Sequence, residues 1–189
     1  MPTVDLDRYR EPSRSPEVLA ARRGALAEQM EWLADEAAAL GPLLAALPTW
    51  AVEQAPLPEE RSVRQSLAAL AALDRSTHPA WLDAVEAAGR DGEPPRLAMP
   101  DLSAVETGAV GEPADGDLGP LLAEVRAARE ALVARVRGLA PDVWERPVLL
   151  DGRATDLYGV LLALVRRDAD ELKALAYRLH GADLTQRTR

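Results

Sequence analysis

Residues 164–175 read LVRRDADELKAL. Apolar side chains recur every three or four positions from Leu161 through Leu164 to Leu172 and Leu175, which is the period of one face of an α-helix. Asp168 falls where that face calls for a leucine, with Arg167 and Glu171 beside it. A carboxylate is costly to bury without a partner. The stretch therefore predicts a helix and, opposite Asp168, a cation.

Working outward, three more segments carry the same period, and almost nothing alternates as a strand does. The four predicted helices span about 15–40, 62–88, 118–140 and 155–180. The first opens on Ser15 followed by Pro16, a cap and a proline in the first turn. The second opens on Ser62 and is bent or restarted by Pro79. The third starts around Leu118, and the fourth is capped by Thr155 and closed by His180-Gly181. Between the last two, Val148 to Leu150 predicts a short extended piece closed by Asp151-Gly152. Residues 91–116, DGEPPRLAMPDLSAVETGAVGEPADG, have no period and are rich in Pro, Gly and Asp. A link that long lets helices two and three run parallel, whereas short links force antiparallel neighbours. The expected architecture is all-α: a four-helix bundle over 15–181 with a long crossover between helices 2 and 3, an N-terminal extension at 1–14 and a polar tail at 182–189.

Composition narrows function mainly by exclusion. A chain of 189 residues that is 48% apolar suits one domain with one sizeable core. It has no cysteine, so thiolate metal sites, disulfides and cysteine nucleophiles are ruled out. The net charge is -9 and the basic residues are scattered among acids, which argues against nucleic acid as a partner. No apolar run reaches the length of a membrane span, and MPTVDLDRYREPSRSP has no apolar core of a secretory signal. A cytoplasmic protein that binds neither membrane nor nucleic acid is the expectation. Phe, Ile and Asn are absent and Lys173 is the lone lysine, a pattern of GC-rich coding that says little about chemistry.

Charged residues on the apolar stripes are more informative. Val63, Leu67 and Leu70 on helix two lead to Asp74; Leu122, Val125, Leu132 and Val136 on helix three surround Arg129. Counted from the helix ends, Asp74, Arg129 and Asp168 lie at nearly equal depth if helices two and three run parallel and helix four runs back. A guanidinium can serve two carboxylates at once, so a buried Asp74–Arg129–Asp168 cluster is predicted. The alternative is that some of these side chains escape to solvent at the end of a stripe. Arg129 between the two carboxylates would keep both ionised, which does not suit acid catalysis. His78 and His180 are too few and too far apart in the pattern to build a metal site. His180 suits the C-terminal end of a helix dipole. Ser62 and Thr155 read as caps, with no histidine placed to activate them. Trp32, Trp50, Trp81 and Trp144 read as core, and no glycine-rich phosphate loop occurs.

Taken in order, SVRQSLAALAALD at 62–74, RAAREALVARVRGLAPDVWERPV, DGRATDLYGVLLALVRRDADELKAL and YRLHG resemble the DinB-like (DinB/YfiT) four-helix proteins. The resemblance runs from about Ser15 to Gly181 and implies the same bundle with its long crossover. Members of that family commonly hold a divalent metal with three histidines, one in a pattern like S-V-x-x-x-L-x-H-L and two in H-D-x-x-H. The matching positions here are Ala69, Arg167 and Glu171. The frame around them is kept, including Asp168, but none of the three is histidine. Alanine cannot coordinate, arginine is a permanent cation and one glutamate is a single ligand, so no metal and no cofactor is expected. Arg167 and Glu171, spaced i,i+4, suit an ion pair.

The resemblance implies two functions. In the first, the bundle is a small-molecule-binding or structural, stress-associated protein without the metal and without catalysis. In the second, it is a thiol-dependent transferase or isomerase in which Arg167 replaces the metal and holds a small anionic ligand or thiol. A homodimer, common in that family, is the expected assembly.

Overall fold

The computed structural model describes residues 15–55, 60–89, 92–105 and 117–187, with side chains as far as Gly181. The expected extension at 1–14 and residues 106–116 of the link lie outside them. In chain order the elements are α1 (Pro16–Ala39), α2 (Gly41–Ala45), α3 (Thr49–Glu53), α4 (Val63–Ala72), a π-helical turn (Leu73–Thr77), α5 (His78–Ala88), β1 (Arg96–Leu97), α6 (Gly119–Arg137), β2 (Pro147–Leu150), β3 (Arg153–Asp156) and α7 (Leu157–Arg187). Single 3₁₀ turns lie at Leu102–Ala104 and Val143–Glu145.

The helix starts follow their caps. Ser15 Oγ accepts from the Val18 amide ahead of α1. Ser62 and Gln65 form a reciprocal capping box ahead of α4, the Gln65 amide donating to Ser62 Oγ at 3.1 Å and the Ser62 amide to Gln65 Oε1 at 2.9 Å. The second predicted helix is continuous in path but changes hand-hold midway. The His78 amide reaches back five residues to the Leu73 carbonyl, and Pro79, which has no amide to give, follows in the first turn of α5.

Four boundaries differ from expectation. Thr155 lies in β3 rather than capping the last helix, and Asp156 takes the capping role, its Oδ1 accepting from the Gly159 amide at 2.8 Å. The same helix does not stop at Gly181 but continues to Arg187, replacing the polar tail expected from 182. A helical glycine costs only about 1 kcal/mol relative to alanine, and good helix formers follow it. The first helix ends at Ala39, and Gly41-Pro42 opens the separate short α2. The third ends at Arg137, three residues before the predicted boundary at 140.

Residues 92–105 of the link carry structure of their own. Within it, β1 pairs in parallel with β2, Arg96 opposite Leu149 and Leu97 opposite Leu150, while β2 pairs antiparallel with β3. Asp151 and Gly152, both at positive φ (51° and 76°), make the tight turn between β2 and β3.

Helix directions follow from which residues share a core. One apolar cluster joins Leu26 to Leu33 of α1, Trp81 to Val85 of α5, Leu132 to Val136 of α6 and Leu157 to Val165 of α7. The other joins Ala37, Val63 to Ala71 of α4, Leu118 at the N-cap of α6 with Leu121 to Val125 within it, and Leu175 and Leu179 of α7. Helices α4–α5 and α6 therefore run parallel, and α1 and α7 run against them, as the crossover length implies. Trp81 and Trp144 are buried in the first cluster, whereas Trp32 and Trp50 are exposed, contrary to a core role for all four. Between the two clusters every long helix except α1 contributes a polar residue.

Candidate functional site

That dividing layer is made by Asp74 and His78 at the two ends of the π-helical segment, Arg129 at mid-α6, and Arg167 and Asp168 on α7. Asp74, His78, Arg129 and Asp168 are each at most 4% exposed. Arg129 donates through Nε to Asp74 Oδ2 at 2.5 Å and through Nη2 to Asp74 Oδ1 at 3.2 Å and Asp168 Oδ2 at 2.5 Å. One planar guanidinium thus spans both carboxylates, a geometry that a lysine ammonium could not reproduce.

Arg167 does not make the expected ion pair with Glu171. Its Nε and Nη2 donate to Asp168 Oδ1 at 2.9 and 2.6 Å, and Nη2 also lies 3.4 Å from His78 Nε2. A carboxylate already buried by the fold is the stronger attractor, because leaving it half satisfied costs more than an exposed i,i+4 pair contributes. Glu171 is half-buried on α7 with no ion pair among the described residues, and Ala69 is fully buried in α4. Among the described residues no hydrogen bond or ion pair joins Ala69, Arg167 and Glu171, whereas Arg167 joins the layer of Asp74, Arg129 and Asp168.

His78 is the member that the sequence pattern hides. Its Nδ1 lies 2.7 Å from Asp74 Oδ1. Its Nε2 faces Arg167 Nη2 at 3.4 Å, so the imidazole sits between Asp74 and Arg167. Two carboxylates, two guanidiniums and one imidazole thus meet in a single layer. The signal was present as a histidine four residues after Asp74, but the proline at 79 directs attention to a bend instead of a buried contact.

The electrostatics agree with the geometry. Burial pushes the Asp74 carboxyl up, but the charge of Arg129 and the hydrogen bond from His78 outweigh it and hold the group below its ordinary 3.8. Burial pulls Arg129 down, and the two carboxylates outweigh that and raise it. A carboxyl with a depressed folded-state pKa stabilises above its unfolded value and loses that contribution as pH falls through the folded one. The stability gap between the parent and Asp74→Asn is therefore expected to stay constant above about pH 5 and to shrink below about pH 4. Urea unfolding of both proteins across that range measures it.

A divalent cation does not fit these residues. Ala69 offers no donor atom, and the Arg167 guanidinium is itself a cation hydrogen-bonded into the layer. Among the described residues no three His, Asp or Glu side chains are grouped so as to hold a metal ion. No helix among the described residues is long and apolar enough to cross a membrane.

No family model matches the sequence, and no curated protein is significantly similar to it. Among solved structures the chain is similar to YfiT from Bacillus subtilis, described as a probable metal-dependent hydrolase with an unusual four-helix bundle topology. The TM-score is 0.59 at 15% identity, over 90% of this chain and 92% of that one. The chain has the fold of that bundle.

Proposed function

We propose that this protein is a DinB-like bundle that works without a divalent metal, as a binding or structural protein rather than a hydrolase. The observation that carries the reading is the Arg167 guanidinium, held by Asp168 and His78 where relatives by resemblance carry the first histidine of H-D-x-x-H. The charge that a metal would bring to the bundle is supplied by Arg129 and Arg167, and both buried carboxylates are already engaged by them. Titration with zinc or nickel, followed by thermal unfolding and metal analysis after desalting, tests this. The expected result is no stoichiometric metal and no rise in Tm. One equivalent retained, with a Tm rise that Asp168→Asn abolishes, would overturn the reading, since a ligand binding only the folded state must stabilise it.

A second reading, a thiol-dependent transferase or isomerase using Arg167 as an anion holder, is favoured by one feature. Among the described residues Arg167 Nη1 has only the thioether of Met99 as acceptor, at 3.6 Å, and its side chain keeps 15% exposure. Low-molecular-weight thiols that raise Tm in the parent but not in Arg167→Gln would support it.

A further inference from the structure

We propose that Met99 is a methionine-oxidation site whose sulfoxide is received by Arg167. Met99 follows β1 in the crossover and is fixed there from two sides. Its amide donates to Asp151 Oδ1 at 3.0 Å, and the Leu97 carbonyl two residues earlier accepts from the Asp151 amide at 2.9 Å. The side chain reaches α7, where the sulfur meets Arg167 Nη1. A thioether is a weak acceptor, so this guanidinium corner is poorly served while Nε and Nη2 are engaged by Asp168 and His78.

Access separates the two described methionines. Met30 is 0% exposed in the core, whereas Met99 is half-buried on the crossover, within reach of a small oxidant. The oxidant class is a hydroperoxide. The sulfur lone pair attacks the terminal peroxide oxygen, an S–O bond forms as the O–O bond breaks, and water or an alcohol leaves with the proton. Sulfur is oxidised by two electrons and the peroxide is reduced by two. The new oxygen is a strong acceptor beside a permanent cation, and rotation of the unbranched side chain brings it to Nη1. Oxidation, which ordinarily disrupts methionine contacts, here replaces a weak contact by a charge-assisted one that ties the crossover to α7.

Dilute hydrogen peroxide on the native protein, followed by tryptic mass mapping and thermal unfolding, tests the site, since the three methionines fall in different tryptic peptides. The expected result is one added oxygen on the Met99 peptide at least roughly tenfold faster than on the Met30 peptide. Oxidised parent should keep or raise its Tm, whereas oxidised Arg167→Leu should lose at least about 3 °C relative to its reduced form. Methionine sulfoxide reductase should reverse both changes, and Met99→Leu should remove them. Equal oxidation of Met30 and Met99, or the same Tm change with and without Arg167, would overturn the proposal. If Arg167→Leu does not fold, amide exchange at residues 96–105 of the parent decides: slower exchange after oxidation supports the site, and unchanged or faster exchange refutes it.

Discussion

Arg129→Met is expected to cost about 3–5 kcal/mol of stability at neutral pH, the usual penalty for breaking a buried ion pair by removing one partner. For a chain of 189 residues that is a Tm lower by roughly 6–20 °C. Methionine fills much of the space of the arginine stem, so little of the loss comes from a cavity. What is lost is every donor that Arg129 gives to Asp74 and Asp168. The layer then lacks one positive charge between two apolar clusters. Thermal or urea unfolding at pH 7 measures the effect, and a variant as stable as the parent would mean that these carboxylates do not depend on Arg129.

Asp168→Leu should be as damaging, with the opposite sign of charge. Asp168 accepts from Arg129 through one oxygen and from Arg167 through the other, so its loss strips an acceptor from two guanidiniums at once. Arg129 keeps Asp74, but Arg167 keeps, among the described residues, only His78 and Met99. Arg167 is near enough to the surface to turn outward, whereas Arg129 is not. The expected loss is again about 3–5 kcal/mol, read by the same unfolding measurement. The apolar gain of the leucine offsets part of it, which Asp168→Asn would separate out. A loss below about 1 kcal/mol would place the value of the contact in the range of an ordinary surface pair.

The layer was largely legible in the sequence because burial leaves a trace in periodicity. Asp74, Arg129 and Asp168 each interrupt an apolar stripe, and their equal depths depend only on helix lengths and on a crossover that permits parallel helices. His78 and the partner of Arg167 were harder to read for a local reason. The π-helical turn at Leu73–Thr77 changes which residues face the core, and no straight 3.6-residue projection carries through it. The i,i+4 spacing of Arg167 and Glu171 points to a pair, but the neighbouring Asp168 competes from inside the bundle and wins. The pairing of β1 with β2 is also invisible locally, since two residues carry no periodicity and their partner lies some fifty positions away. Thr155 reads as a cap because threonine favours helix starts, yet its backbone pairs with Val148 and the cap moves to Asp156.

The protein is thus best understood as a bundle divided across its middle by a layer of buried, mutually paired charges. The most direct test is the double variant Arg129→Met/Asp168→Leu beside its two singles in urea unfolding at pH 7. Removing one cation and one anion together leaves the net charge of the layer unchanged. The double variant is expected to be far more stable than the sum of the single losses implies, with an interaction energy of at least about 2 kcal/mol. Losses that add to within about 0.5 kcal/mol would contradict it.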